Sequence, residues 1–252
     1  MVFCVISRAE SRYKDVLKQL LTLIAALVML LPATLGAQER RLQNRPYIDE
    51  RRFHYGFHLG MHMQDLELSN NGYIDPDTGE RWYADVDAFQ PGFTVGVLGE
   101  MKLNKYLSLR ICPTLDLGQK HVVCHEQLSG RDTTQTIKST YITVPVALKF
   151  AAPRYNNFRP YMSVGVSPVV DLTNRKHGML LTKKLDVMIE LAMGCDVYFG
   201  FFKLIPELKF SFGLLDVLQK NRQDLIDPTL LKFTKSLDSA HSTKVSLIFY
   251  FE

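Results

Sequence analysis

Three histidines recur at four-residue spacing early in the chain, at His54, His58 and His62. On an α-helix this spacing places imidazoles on one face, where two of them can bind a zinc ion. The surrounding residues instead alternate between large apolar and small or polar side chains, which is typical of a β-strand. Four strand residues span about 13 Å, too far for one ion to bridge. We therefore predict that the histidines belong to the polar face of a strand.

The same alternation predicts eight strands, and the element that begins at residue 53 is the first of them. The predicted strands cover 53–64, 93–103, 107–117, 141–150, 161–171, 187–199, 202–214 and 244–251. Long connections follow every odd-numbered strand, at 65–90, 119–139, 173–185 and 215–243, and shorter ones follow the even-numbered strands. This pattern predicts an all-β fold, an eight-stranded antiparallel transmembrane barrel of the outer-membrane type with long extracellular loops and short periplasmic turns.

Prolines interrupt this regular pattern at positions 113, 145, 168 and 206. A closed barrel has no edge strand at which a missing N–H donor is harmless. Pro113, Pro168 and Pro206 fall near the ends of predicted strands, where they are tolerated. Pro145 falls in the middle of a strand and predicts a local bulge.

A soluble eight-stranded barrel is the competing fold, and the composition of the polar face separates the two. That face is mostly Gly, Ser, Ala and Thr with a few long charges of both signs, which suits a narrow lumen better than a solvated surface. The predicted lumen network comprises His54, His58, His62, Glu100, Arg110, Lys149, Glu190, Asp196, Glu207 and Lys209. The predicted lipid-facing wall includes Phe53, Tyr55, Phe57, Leu59, Leu109, Ile111, Val144, Val146, Leu208, Phe210, Phe249 and Phe251.

The interior of an eight-stranded barrel is just filled by side chains, so we expect neither a wide channel nor a small-molecule substrate. No cofactor motif is recognised. The chain has 30 basic and 26 acidic residues, a formal net charge of +4, which is too small to indicate nucleic-acid binding. A hydrophobic content of 46% argues against disorder.

The N-terminus predicts export to the outer membrane. Basic residues precede a short apolar run and a small-residue cleavage site, so we predict a signal peptide over 1–37. Residues 38–52 form a basic periplasmic segment, and 53–252 the barrel domain. The arginines of the segment are either part of a solvated linker or a docking site for a secretion component or anionic lipid headgroups. They are Arg40, Arg41, Arg45, Arg51 and Arg52.

Some small outer-membrane barrels are hydrolases, so nucleophiles near strand ends are candidate catalytic residues. Ser163, Ser167, Asp171 and His177 have suitable side chains for a Ser–His–Asp site, but no spacing selects them. We therefore expect no catalytic residues and keep a rim-sited hydrolase as a lesser alternative.

Several segments together resemble the PorT family of small outer-membrane barrels of Bacteroidetes. They are Asn44-Arg45-Pro46-Tyr47-Ile48-Asp49, 53–60, 141–150, Pro160-Tyr161 with Gly165, 206–214 and the final 249–252. The resemblance implies a component of the type IX secretion system, which moves cargo proteins with C-terminal signals across the outer membrane, with other components of that system as partners. A structural or adhesive surface barrel that binds external partners through its loops remains the alternative.

Overall fold

The computed structural model describes residues 44–74, 79–88, 90–127, 130, 132–173, 181–219 and 236–252. The predicted signal peptide, Arg40 and Arg41 lie outside these residues. A short 3₁₀ helix at Ile48–Glu50 precedes eleven strands. The strands are β1 (Phe53–Asn70), β2 (Trp82–Ala88), β3 (Gln90–Lys102), β4 (Leu107–Ile111), β5 (Thr114–Glu126), β6 (Asp132–Thr143), β7 (Val146–Ala151), β8 (Phe158–Asp171), β9 (Leu185–Tyr198), β10 (Lys203–Gly213) and β11 (Leu237–Phe251).

The strands form one antiparallel sheet that closes on itself. Three pairs of consecutive strands, β2 with β3, β4 with β5 and β6 with β7, each make one interrupted strand of the wall. The sheet therefore has eight wall strands, which we number in chain order. Each pairs with its sequence neighbours, and β1 pairs with β11 to close the ring. The predicted all-β, eight-stranded antiparallel barrel is confirmed. Among the described residues, no helix has the length and apolar character needed to cross a membrane.

Prolines explain two of the three interruptions. Pro113 separates β4 from β5, and Pro145 separates β6 from β7. Hydrogen bonding continues past them because proline carbonyls accept bonds from neighbouring wall strands. Val97 N donates to Pro113 O at 3.1 Å, and Cys112 N donates to Pro145 O, also at 3.1 Å. The interruption at Pro145 takes the place of the predicted mid-strand bulge.

The two faces of the wall differ sharply in exposure. Along β1, each odd-numbered residue from Phe53 to Met63 is exposed on the outside. The even-numbered His54, His58 and His62 are buried inside the ring. On β3 an exception is Leu98, an apolar residue that points inward and is buried. The outer face is therefore a continuous apolar band, and the polar groups lie within the lumen.

Beyond this band the alternation inverts. After Gln64, the inward positions of β1 become apolar at Leu66 and Leu68, and the outward positions become polar at Asp65 and Glu67. The inward apolar residues form a buried core at the long-loop end of the barrel. That core comprises Leu66, Trp82, Ala84, Val122, Cys124, Val217, Leu218, Leu237 and Ala240.

The predicted boundaries of three of the four long connections are wrong for this reason, whereas the connection predicted at 173–185 agrees with the structure to within one residue. The connections predicted to start at residues 65 and 119 are largely strand, since β1 runs to Asn70, and β5 and β6 form a hairpin from Thr114 to Thr143. The sequence alternates there as well, with apolar residues on the opposite side. A constant apolar outer face therefore ends the first and third predicted strands too early.

Candidate functional site: the filled lumen and the mouth at the short turns

The centre of the lumen is organised around Arg110. This residue lies on wall strand 3, and its guanidinium is 2.6 Å from the Glu207 carboxylate on wall strand 7 and 3.0 Å from Glu100 on wall strand 2. The rings of Tyr161 and Tyr250 lie 5.1 and 4.9 Å from the guanidinium carbon. Paired carboxylates and aromatic faces compensate a buried guanidinium for its lost hydration.

Ion pairs extend from this centre in both directions. Acidic and basic groups alternate along a continuous series of contacts, each between 2.6 and 3.7 Å. In spatial order the series is Glu190, Lys209, Glu207, Arg110, Glu100, Lys149, Asp196, Lys203 and Glu252. Because each buried charge has an opposite neighbour, the lumen is filled by a mutually neutralising network.

A second cluster lies nearer the long-loop end. Lys244 Nζ is 2.7 Å from Asp116 Oδ2, and Thr94 donates its hydroxyl proton to the other oxygen of Asp116 at 2.8 Å. His62 Nδ1 is 2.6 Å from the Thr94 hydroxyl. These four side chains come from four different wall strands, so the cluster forms only when the ring is closed.

The three histidines have separate partners. His54 Nδ1 is 2.5 Å from Glu252, and His62 is bound to Thr94. His58 Nε2 is 3.2 Å from the Thr114 hydroxyl, and its ring packs on Tyr250. The structure does not bring the three rings together.

The short-turn end of the lumen is covered by residues 44–52, which we call the mouth segment. Asn44 Nδ2 donates to the Tyr198 carbonyl at 3.1 Å, and Arg45 Nη1 donates to the Glu252 carbonyl at 3.3 Å. Within the segment, the side chain of Ile48 is buried. The segment therefore crosses from wall strand 6 to the start of β1.

Asp49 holds the mouth segment in place. Its carboxylate accepts a hydrogen bond from the Tyr198 hydroxyl at 2.6 Å and lies 3.5 Å from Arg154 and 3.7 Å from Arg159. Its backbone carbonyl accepts a hydrogen bond from Lys102 Nζ. These four partners come from three wall strands and one short turn, so Asp49 connects the segment to most of the rim.

Glu252 links the mouth to the lumen network. Burial of its carboxyl group alone would raise the pKa, but the hydrogen bond to His54 and the ammonium of Lys203 outweigh burial and lower the pKa to about 2. Lys203 Nζ lies 2.7 Å from the Glu252 carboxylate. The group is therefore ionised over the whole physiological range.

The structure buries all ten side chains of the predicted lumen set inside the ring. The twelve residues of the predicted lipid-facing wall are exposed or partly exposed on its outer face. Arg45 contacts Glu252, whereas Arg51 and Arg52 are exposed.

Sequence reasoning missed several members of the lumen network. Its polar-face pattern contained five of them, all but Glu252, but only the register between wall strands reveals which charges meet. They are Asp116, Tyr161, Lys203, Lys244, Tyr250 and Glu252.

The serine candidates lie inside the barrel. Ser163 and Ser167 are buried on β8, and Asp171 accepts a hydrogen bond from the Thr173 backbone N–H. Eight residues of strand separate Ser163 from Asp171, about 26 Å. His177 lies outside the described residues.

A comparison with known protein families agrees with this architecture. The family model described as "Outer membrane protein beta-barrel domain" matches residues 37–219. Similar solved structures include OprG of Pseudomonas aeruginosa, with 11% identity over 79% of this chain and 92% of that one and a TM-score of 0.44. Ail of Yersinia pestis is 11% identical over 80% of this chain and 100% of its own, with a TM-score of 0.34. AlkL is 10% identical over 86% of this chain and 94% of its own, with a TM-score of 0.38. No curated protein sequence matches the chain significantly.

Proposed function

The chain belongs to the outer membrane protein beta-barrel domain family, and from this premise we propose that it is a non-enzymatic component of the type IX secretion system, required for cargo export across the outer membrane. As a barrel of this family it resides in the outer membrane, with its apolar outer face in lipid. The short-turn end, where the mouth segment lies, faces the periplasm.

The filled lumen favours a function at the surfaces of the barrel. The ion-pair series occupies the interior, the buried core occupies the long-loop end, and the mouth segment covers the periplasmic end. The two cavities beside Pro145 each have a volume of only about 10 Å³, close to the space that one water molecule needs, and are bounded by charged side chains of the network. A protein passing through the lumen would have to displace this whole arrangement, so cargo export through the barrel itself is disfavoured.

The observation on which the proposal rests is the position of the mouth segment. Asn44–Asp49 is the part of the sequence whose resemblance to the PorT family is most distinctive. Its polar groups bind the barrel, while Tyr47 is 74% exposed and Arg51, four residues later, is also exposed. An exposed tyrosine and arginine on a rigidly held segment are typical of a contact with another protein. We infer that this face binds a periplasmic component of the secretion system.

Deleting the gene in its host tests the proposal. We expect cargo proteins with C-terminal signals to accumulate in the periplasm and to be restored to the surface by the wild-type gene. Complementation with Tyr47→Ser should restore export poorly, whereas Tyr155→Ser, an exposed tyrosine of the neighbouring turn, should restore it fully. Normal surface cargo in the deletion strain would contradict the proposal.

A surface barrel that binds external partners is the second candidate. The hairpin of β5 and β6 extends past the apolar band and is supported by the buried core at that end. A rigid extension of this kind suits recognition outside the cell. If the deletion strain exports cargo normally but loses adhesion to surfaces or host matrix, this candidate replaces the first.

A further inference from the structure

The periplasmic rim bears a girdle of exposed aromatic rings. Such rings favour the boundary between acyl chains and headgroups, where their apolar bodies and polar edges are both accommodated. Exposed members of this girdle are Phe53, Tyr106, Phe150, Phe158, Phe199, Phe201 and Phe202. The girdle fixes the height of the periplasmic leaflet on the barrel.

Two exposed cations lie within this girdle, next to the ends of neighbouring wall strands. The guanidinium of Arg52, just before β1, is 5.9 Å from the centroid of the Phe53 ring. Lys105, in the turn between β3 and β4, places its ammonium 5.7 Å from the Tyr106 centroid. The backbone hydrogen bond from Lys102 N to Arg52 O, at 2.8 Å, joins the two sites. Each cation is therefore held against an apolar surface at headgroup height.

Other carboxylates at this rim are already engaged with other cations. Asp49 pairs with Arg154 and Arg159, and Glu252 pairs with Lys203 inside the mouth. Glu50 is exposed and precedes Arg52 by two residues, but it forms no ion pair with Arg52. Neither Arg52 nor Lys105 forms an ion pair with any carboxylate in the described part of the chain. The outward side of the rim thus presents positive charge to the lipid.

We propose that Arg52 and Lys105 form a binding site for the phosphate of an anionic phospholipid in the periplasmic leaflet. The rings of Phe53 and Tyr106 and the exposed side chain of Leu103 contact the glycerol and upper acyl chains of that lipid. A cation near a membrane surface attracts an anionic headgroup by about 1 kcal/mol, which corresponds to about a fivefold preference. A lipid is favoured over an acidic protein because the site faces the bilayer.

Spin-labelled lipids in phosphatidylcholine vesicles test this site on the whole barrel. The fraction of label immobilised at the barrel surface is compared for phosphatidylglycerol and phosphatidylcholine. We expect the wild type to favour phosphatidylglycerol by about fivefold or more, and the double variant Arg52→Gln with Lys105→Gln to lose most of this preference. Equal immobilisation of the two labels on the wild type would overturn the proposal and leave the rim cations to an acidic protein partner.

A charge-matched variant serves as the control. Lys138 and Lys184 are exposed basic residues near the long-loop end, and changing both to Gln should leave the preference unchanged. If this control loses the preference and the rim variant keeps it, the site is not at the periplasmic rim. If the rim variant does not fold, the lipid preference of the wild type is measured at high salt instead. Raising the salt to about 1 M, where the Debye length is about 3 Å, should abolish the preference, and its persistence would contradict an electrostatic site.

Discussion

Arg110 and Glu207 meet across the full diameter of the barrel, 2.6 Å apart, from wall strands that lie opposite each other in the ring. Strand pairing brings together only neighbours, so this contact is an independent constraint on the shape of the lumen. It fixes the separation of opposite walls at the length of two side chains.

Arg110→Met should therefore destabilise the barrel by about 3–5 kcal/mol, because it leaves Glu100 and Glu207 buried beside fewer cations. Urea unfolding in vesicles, followed by Trp82 fluorescence and by heat-modifiable gel migration, measures the loss. Adding Glu207→Leu should recover at least about 1 kcal/mol relative to the sum of the single changes. Strict additivity would show that the two residues are not coupled. Lys184→Gln, on the exposed surface, should have little effect.

Two glycines of β3 provide a matched pair. A Cβ atom on Gly96 would collide with the Pro113 carbonyl and lie 2.5 Å from the His58 ring, whereas one on Gly99 would come no closer than 3.6 Å to the Ile111 carbonyl. We expect Gly96→Ala to cost about 1–3 kcal/mol and Gly99→Ala to stay within about 0.5 kcal/mol. The same unfolding assay compares them, and equal stabilities would refute the close approach at Gly96.

Because the apolar and polar sides of β1 exchange after Gln64, two outward positions of this strand should differ in their tolerance of an introduced arginine. Leu59 lies in the apolar band and Glu67 beyond it. Leu59→Arg should cost about 2–4 kcal/mol because it places a charge in lipid, whereas Glu67→Arg should change stability by about 0.5 kcal/mol or less. Vesicle unfolding is again the measurement. A comparable loss at both positions would mean that the band extends past Gln64.

Acid should weaken the mouth through Glu252. Because its pKa in the folded barrel is lowered to about 2, the ionised carboxylate stabilises the fold at pH values above its ordinary value of about 4.5. This contribution is lost as the pH falls from about 4.5 to about 2, since the folded barrel must then bind a proton that the unfolded chain binds more readily. The loss is on the order of 3 kcal/mol.

Comparing unfolding of the wild type and Glu252→Gln across this pH range isolates the effect. The variant should be less stable at pH 7, and the difference should shrink below pH 4.5. A difference that does not vary with pH would exclude the carboxylate as its source.

The sequence was sufficient to predict which wall residues point into the lumen and which point outward, because successive side chains of a strand point to opposite faces. It was insufficient for the ion-pair series, since Lys203 and Glu252 gain their roles only from the register of β10 with β11 and from the contact of Glu252 with His54. The role of Asp49 was equally inaccessible, because its partners Arg154, Arg159 and Tyr198 lie more than 100 positions away. No local sequence pattern indicates contacts between residues so far apart in the chain.

Because the alternation of apolar and polar residues inverts after Gln64, β1 marks the level at which the bilayer ends on the barrel. Met63 pairs with Val245, both apolar and outward, and Asp65 pairs with Thr243, both polar and outward. Two adjacent strands thus mark the same level within two residues. The sequence of these two strands therefore encodes the level of the outer membrane surface, and a shift of the barrel along the membrane normal would place polar residues of both strands in lipid or apolar residues of both in water.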